Sequence, residues 1–222
     1  MRLYLSSRRI GDHAGSLLAM LGSGGRAALI ANAMDGSAQR RPHRLVQPPE
    51  DPGADLHALG IDTIALDLRH YFGRPEALRR ALEGIDLVWA ADGDVFVLRR
   101  AMRQSGFDDL IVELLDEDRL VYGGSGAGAM VVAPCLGGLE AMGDPEDIPQ
   151  GYDPAPVRDG LGLIDHVLVP HYRSHHPASA AAERTLRHLA ARGLRCRALS
   201  DGEVLRWTET RHSELTDSRR IA

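Results

Sequence analysis

The stretch from residue 120 to residue 130 reads LVYGGSGAGAM. Large apolar residues run into a turn of alternating glycine and small residues, and a helical pattern follows. A β-strand that passes through a sharp turn into an α-helix can expose one side chain at the top of a sheet, as a nucleophile elbow does. The amides of the helix N-terminus could then stabilise a developing oxyanion. A phosphate-binding loop and a plain tight connection are the open alternatives.

Outward from this stretch, short apolar runs alternate with longer segments of helical period. This alternation predicts an α/β fold with a mostly parallel central sheet and helices on both faces. The predicted strands are Leu3–Leu5, Ala27–Ala33, Thr63–Asp67, Asp86–Ala90, Leu120–Tyr122, His166–Val169 and Arg197–Leu199. The predicted helices are Asp12–Leu21, Arg74–Leu82, Val95–Gln104, Asp108–Asp118 and Ala178–Arg192.

The pattern favours a single domain over residues 1–208, followed by a polar tail at residues 209–222. Residues 133–163 are rich in Gly, Pro and Asp and show little periodicity. We therefore interpret them as a long functional loop or irregular excursion within the domain.

The charge pattern excludes several classes of protein. The 222 residues carry 26 Lys+Arg, all of them arginine, against 31 Asp+Glu, so lysine chemistry is excluded and a nucleic-acid partner is not expected. The basic cluster Arg40, Arg41, His43 and Arg44 is interpreted as a solvated loop. Cys135 and Cys196 match no metal spacing and predict free thiols. Without a membrane-length apolar run or a signal-peptide core, the expected location is the cytoplasm, with no membrane partner.

In a parallel sheet, ligands bind beyond the carboxyl ends of the strands. Four predicted strand ends carry reactive or flexible residues: Ala91–Asp94, Gly123–Gly128, Pro170–Tyr172 and Ser200–Glu203. His171 directly follows an apolar strand and a proline. This placement predicts a general base that faces the glycine-rich elbow from another strand.

These segments, together with the N-terminal MRLYLSSRRIGDH, resemble peptidase family S51, the dipeptidase E relatives with a class I glutamine amidotransferase-like, flavodoxin-like three-layer fold. The resemblance extends from Met1 to about Trp207 and is most specific at the elbow and the VPHY segment. It implies a serine peptidase that cleaves short peptides, typically after an N-terminal aspartate, with a Ser-His-acid constellation and no metal or other cofactor. An amidotransferase would need a cysteine in the elbow, and Cys135 lies beyond it.

The elbow departs from the family pattern G-x-S-A-G-A. This chain reads Gly124-Ser125-Gly126-Ala127-Gly128-Ala129. Aligned on Ala-Gly-Ala, the nucleophile position falls on Gly126, and Ser125 lies one residue earlier. A shift of one residue in a tight turn redirects a side chain, so Ser125 is not the family nucleophile by simple transfer.

The oxyanion loop departs as well. Where similar family members have Gly-Gly-Asn, this chain has Asp92-Gly93-Asp94. Gly93 keeps a flexible amide. A carboxylate 4 Å from an oxyanion, however, destabilises the oxyanion by a repulsion of roughly 4 kcal/mol at an effective dielectric of 20. Either the carboxylates of Asp92 and Asp94 point away, or the site no longer stabilises an oxyanion.

The remaining site residues are assigned by position. The acid that orients His171 is Asp144 or Asp201, with Asp165 and Glu203 as weaker candidates. Ala127, Tyr172 and Arg173 are placed in the oxyanion and substrate-binding set with Asp92, Gly93 and Asp94. The histidine pair at positions 175 and 176 lacks a third spaced ligand, so no metal site is predicted.

Two functions follow from the residues. One is a dipeptidase E-like serine hydrolase in which Ser125, activated by His171, acts on short peptides. The other is a catalytically silent or repurposed protein of the same fold that binds a small amine- or peptide-like ligand, with Asp92 and Asp94 meeting its cationic group. The expected partner is a small peptide-like molecule, and a homodimer is compatible with either function.

Overall fold

A six-stranded sheet forms the centre of the computed structural model, which describes residues 1–22, 25–36 and 50–208. Its strands are β1 (Arg2–Ser6), β2 (Arg26–Ile30), β3 (Asp62–Ala65), β4 (Leu87–Ala90), β5 (Val121–Ser125) and β8 (Val204–Thr208). The strand order is β3-β2-β4-β5-β1-β8, and every neighbouring pair is parallel except β1 and β8. Two further strands, β6 (Val167–Val169) and β7 (Cys196–Ala198), pair in parallel beside this sheet.

Helices cover both faces of the sheet. They are α1 (Ala14–Leu21), α2 (Pro52–Ala58), α3 (Pro75–Ala81), α4 (Val95–Ser105), α5 (Phe107–Asp116), α6 (Ala127–Met130) and α7 (Ser179–Ala191), with short 3-10 helices at Asn32–Met34 and Leu68–Tyr71. Leu17 of α1 and Leu56 of α2 pack with Trp89 on one face. Helices α3 to α7 contribute to the larger apolar core on the other face. The predicted α/β fold with a mostly parallel central sheet is thereby confirmed.

The register of the sheet brings the predicted strand ends together. β5 lies between β4 and β1, with Ala90 opposite Gly124 and Ser6 opposite Ser125. Because these three strands are parallel, their carboxyl ends meet at one edge of the sheet. The glycine-rich turn after Ser125 therefore lies at the centre of that edge.

One strand and one α-helix were not predicted from the sequence. The first is β8, an antiparallel strand that pairs with β1 at the edge of the sheet and is reached through the turn at residues 200–203. The second is α2, which begins with Pro52 and is capped by Asp51, whose side chain accepts a hydrogen bond from the amide of Ala54. The predicted range of β2 is three residues too long at its carboxyl end, because the chain turns into a 3-10 helix at Asn32.

The segment from Ala133 to Leu163 contains an isolated bridge, Cys135 to Asp159, but no named helix or strand. Buried arginines of α4 hold it in place. The Arg99 side chain donates to the carbonyl of Asp159, and the Arg100 guanidinium donates to three carbonyls between residues 145 and 155. The long irregular segment is thus an ordered part of the fold.

Some sequence-based interpretations concern residues outside the described ranges, namely the basic cluster at residues 40–44 and the tail at residues 209–222. Both cysteines are free thiols and partly buried. Across the described ranges, none of the helices has the length and apolar character needed to cross a bilayer.

Candidate active site

The turn between β5 and α6 is sharp and has an unusual backbone conformation. Gly126 connects Ser125 to Ala127 with φ of 51° and ψ of −113°. Its amide points back toward the carbonyls of Ser6 and Ser7, at 3.3 and 3.2 Å. Residues with a side chain rarely adopt this region of φ and ψ and pay about 1–3 kcal/mol when they do. The turn therefore has the geometry of an elbow, and glycine relieves its strain.

The carboxylate of Asp92 fills the space beside Gly126. Asp92 Oδ1 accepts hydrogen bonds from the amides of Gly93, at 2.7 Å, and Ala127, at 2.9 Å. A Cβ atom added to Gly126 would lie 1.9 Å from the same Oδ1 and 2.2 Å from Asp92 Cγ. Two amides that converge on one oxygen form the arrangement of an oxyanion hole. Here a carboxylate of the protein itself occupies it.

Asp94 caps a helix and does not face the elbow as Asp92 does. It is fully buried, and its Oδ1 accepts hydrogen bonds from the amides of Phe96 and Val97, so it caps the N-terminus of α4. Its Oδ2 accepts a hydrogen bond from the amide of Asp144 at 2.7 Å. The two aspartates that the sequence placed together are thus separated, because Asp94 turns toward the helix and Asp92 toward the elbow.

His171 lies between two carboxylates. Its Nδ1 is 2.9 Å from Asp201 Oδ1, and its Nε2 is 3.9 Å from Asp92 Oδ2. A carboxylate can only accept a hydrogen bond, so the proton of this contact resides on Nδ1. The Nε2 atom, which faces Asp92 and the elbow, can then act as a base. The ring is almost fully buried, with 3% of the residue exposed.

Ser7 holds His171 in an unusual backbone conformation. His171 has φ of 63°, in the left-handed region. The buried Ser7 Oγ accepts a hydrogen bond from the His171 amide at 2.8 Å and lies 3.0 Å from Asp201 Oδ1. The neighbouring Tyr172 amide donates to the carbonyl of Leu199. These contacts fix the histidine and its acid relative to β1.

Asp201 is held in its ionised form. Burial alone raises the pKa of the Asp201 carboxyl group. The hydrogen bond and charge of His171, together with the hydrogen bond from Ser7, outweigh burial, and the pKa is lowered overall. An ionised Asp201 orients the imidazole and would stabilise its protonated form.

The ring of His176 stacks on that of His171, with centroids 3.7 Å apart and planes 13° from parallel. Burial, followed by the nearby charge of His171, lowers the pKa of His176 to about 4. His176 therefore stays neutral at physiological pH and covers one face of the His171 ring.

We expect His176→Phe to reduce the loss of stability on mild acidification. The unfolded chain takes up a proton on His176 near pH 6.5, whereas the folded protein takes it up only near pH 4, so the unfolded state gains protons first as the pH falls. Between pH 7 and pH 5 the wild type should lose about 1 kcal/mol more than His176→Phe in urea unfolding, because solvent reaches part of the ring and weakens the effect. His175→Phe, at the exposed neighbouring residue, should retain the wild-type slope. Equal slopes in wild type and His176→Phe would contradict the assignment.

Ser125 is the last residue of β5 and is 2% exposed. Side chains alternate between the faces of a strand, so Ser125 shares a face with Gly123. A Cβ at Gly123 would meet Trp89, whereas a Cβ at Gly124 would meet the backbone of α6 at Gly128. The pleat thus directs Ser125 to the Trp89 face, opposite α6.

The other predicted residues lie around this centre or away from it. Tyr172 and Arg173 directly follow His171 in the chain, and the Arg173 guanidinium lies 5.2 Å from the centroid of the Tyr172 ring. Asp144 lies next to the α4 cap, where its Oδ1 accepts a hydrogen bond from the amide of Glu146. Asp165 forms an exposed ion pair with Arg195, and Glu203 closes its own turn through the amide of Ser200. Of the four acid candidates, Asp201 is the one in contact with His171.

Sequence reasoning missed Ser7 and His176. Ser7 directly follows β1, so the rule that singled out four strand ends also identifies it when applied to β1. His176 has no such signal, because only the folded turn at residues 170–176 brings its ring onto His171. Within the described residues, no group of three His, Cys, Asp or Glu side chains is arranged to hold a metal ion.

Comparison with known proteins agrees with this fold. The uncharacterized peptidase Lin0382 of Listeria innocua serovar 6a is 27% identical over 119 residues, 54% of this chain and 54% of that protein. The chain thus matches about half the length of this curated relative.

Solved structures extend the likeness of fold. A protein of Listeria monocytogenes EGD-e, provisionally named a peptidase E, superposes with a TM-score of 0.72 at 19% identity, covering 93% of each chain. A peptidase from an acI-B1 Actinobacterium gives 0.61 at 13% identity, covering 93% of this chain and 82% of its own. The sequence model of peptidase family S51 matches residues 52–215, most of the chain. The chain belongs to peptidase family S51.

Proposed function

We propose that this chain is a peptidase-fold protein without serine peptidase activity, and that it binds a small amine- or peptide-like ligand at Asp92 and His171. In this proposal Gly126 occupies the nucleophile position of the family, and a carboxylate replaces the missing side chain. The observation that supports this proposal is the position of Asp92, whose Oδ1 accepts hydrogen bonds from both amides of the oxyanion hole.

The occupied oxyanion hole argues against acyl transfer. A tetrahedral oxyanion would need the amides of Gly93 and Ala127, which already donate to Asp92. Two negative oxygens about 4 Å apart repel by about 4 kcal/mol at an effective dielectric of 20. One donor of an oxyanion hole supplies about 3 kcal/mol. The repulsion therefore cancels the stabilisation that the hole normally provides.

Ser125 is poorly placed to substitute for the missing nucleophile. The pleat of β5 directs it to the opposite face of the sheet from α6. The side chain that faces His171 Nε2 is instead that of Asp92. Attack by Ser125 would require the central strand to shift its register by one residue, which would break its pairing with both β1 and β4.

A cationic ligand fits the charges of this edge. Asp92 is a carboxylate with a quarter of its side chain exposed, and Asp201 supplies a second negative charge behind His171. An ammonium group beside Asp92 Oδ2 would form a charge-assisted hydrogen bond.

The free thiols of Cys135 and Cys196 support the expected cytoplasmic location.

The test combines an activity assay with a binding assay. Incubation with Asp-containing dipeptides and a fluorophosphonate should give neither turnover nor labelling. In calorimetry, dipeptides with a free N-terminal ammonium should bind at least about tenfold more tightly than their N-acetyl forms, the size expected for one charge-assisted hydrogen bond. Asp92→Asn, which keeps an acceptor for both amides, should remove this preference. Asp165→Asn, at an exposed carboxylate, should keep it.

Stoichiometric labelling of Ser125 with turnover of a dipeptide would overturn the first half of the proposal. Equal affinity for free and acetylated dipeptides would overturn the second half.

A further inference from the structure

The carboxylate of Asp92 is placed to react as well as to bind. One oxygen is fixed by the amides of Gly93 and Ala127, and the other lies 3.9 Å from His171 Nε2. Carboxylates act as covalent nucleophiles in enzymes when a second group can complete the reaction. A base, its orienting acid and two oxyanion donors surround this carboxylate, so the groups needed for two successive steps are present.

We propose that Asp92 is a nucleophile that displaces a leaving group from a small primary alkyl electrophile, and that His171 then directs hydrolysis of the resulting ester. This inference rests on the first half of the proposed function, the absence of a serine nucleophile, and does not depend on the preference for amines.

In the first step the attacking atom is Asp92 Oδ2, because the two amides hold Oδ1. Asp92 Oδ2 attacks the carbon that bears the leaving group, the new C–O bond forms, and the leaving group departs as an anion with the electron pair of its bond. Negative charge passes from Asp92 to the leaving group, so no oxyanion develops on the substrate. An acyl substrate, in contrast, would need the two amides that Asp92 itself occupies. The geometry therefore favours a saturated carbon over a carbonyl.

The second step uses the same two amides. His171 Nε2 takes a proton from water, and the water oxygen adds to Cγ of the Asp92 ester. The electron pair of the carbonyl moves onto Oδ1, which the amides of Gly93 and Ala127 already hold. When the intermediate collapses, the Cγ–O bond to the alkyl group breaks and the alcohol leaves with the proton from His171. Asp92 then releases its own proton, and the sum is R–X + H₂O → R–OH + X⁻ + H⁺.

The roles of the other residues agree with this sequence of steps. Asp201 holds Nδ1 and stabilises the imidazolium that forms in the second step. His176 covers the ring and keeps it in place. Because Gly126 has no side chain, the carboxylate can reach the centre of the elbow.

The experiment uses two bromides of equal shape, (2-bromoethyl)trimethylammonium and its neutral isostere 1-bromo-3,3-dimethylbutane. The wild-type chain should release bromide and alcohol from at least one of them. In ¹⁸O-water, a single turnover should place one ¹⁸O atom in Asp92, read by peptide mass spectrometry. His171→Asn, which suits a left-handed φ, should accumulate the alkyl ester at Asp92. Asp92→Asn should reduce bromide release to the uncatalysed rate, and Asp165→Asn should leave it unchanged.

Each outcome bears on one statement. Appearance of ¹⁸O in the alcohol with none in Asp92 would overturn the inference, because water would then have attacked the alkyl carbon directly. Absence of both ester and bromide release with both bromides, in protein that retains its circular dichroism spectrum, would overturn it too. Equal rates for the two bromides with ester at Asp92 would support the inference while contradicting the preference for amines. Serine labelling by fluorophosphonate would instead contradict the proposed absence of a serine nucleophile.

Discussion

Gly126→Ser alone should give a less stable protein with no peptidase activity, even though it inserts a serine at the elbow. The new Cβ would lie 1.9 Å from Asp92 Oδ1, so the carboxylate would have to leave its two amides. Each of these charge-assisted hydrogen bonds is worth about 1.5–3 kcal/mol, and the elbow conformation adds strain. We expect a loss of about 3 kcal/mol or more in the free energy of unfolding, measured by urea titration.

Removing the Asp92 carboxylate together with the Gly126→Ser substitution should instead produce peptidase activity. In Asp92→Gly/Gly126→Ser, the amides of Gly93 and Ala127 become available to an oxyanion, and the new hydroxyl occupies the space that His171 Nε2 faces. General-base activation contributes about 10²–10⁴-fold to such reactions. We expect stoichiometric fluorophosphonate labelling at position 126 and hydrolysis of dipeptides at least about 100-fold above Asp92→Gly alone.

The same double substitution in a Ser125→Ala background shows whether the nucleophile is the serine at position 125 or the one at position 126. Labelling and hydrolysis should persist there, because Ser125 lies on the other face of β5. Loss of labelling in that background would assign the nucleophile to Ser125 and contradict its placement on the Trp89 face of the sheet.

Much of this site follows from the sequence because parallel strands bring their carboxyl ends together. That rule groups Asp92 with the elbow at the ends of β4 and β5, and it groups His171 with Asp201 at the ends of β6 and β7. The separation of Asp94 from Asp92 is also accessible, since a helix that begins at Val95 makes Asp94 its N-cap. The choice of Asp201 over Asp144 as the acid that orients His171 could not be predicted, because it depends on how the turn after β7 folds against Ser7.

The occupation of the oxyanion hole by Asp92 could not be predicted from the sequence. It depends on the close packing of Gly93 against Ala33 and on the φ of Gly126, which together aim a side chain from one strand end at the amide of another. Such long-range contacts leave no periodic signal. β8 was missed for a related reason, since an edge strand of five residues is recognised mainly through its partner β1.

Arg100→Met should cause a large loss of stability at a position away from the elbow. Arg100 is 3% exposed, and its guanidinium donates to the carbonyls of Pro145, at 2.9 Å, Asp153, at 2.8 Å, and Ala155. Methionine keeps the apolar length but removes the charged donor of three part-buried hydrogen bonds, and each such bond is worth about 1–2 kcal/mol. We expect the free energy of unfolding to fall by about 3–5 kcal/mol, with Tm lower by roughly 6–20 °C for a chain of this size.

Hydrogen exchange should locate the effect of Arg100→Met. Because Arg100 is the residue of α4 that joins residues 145, 153 and 155, amides between residues 144 and 155 should lose protection before those of β5. Arg103→Met, on an exposed position of the same helix, should change the free energy of unfolding by less than about 0.5 kcal/mol. Arg100→Lys should fall between the two, since an ammonium restores the charge but not the planar fork. Comparable losses in Arg100→Met and Arg103→Met would show that helix propensity, rather than the clamp on the irregular segment, controls this part of the fold.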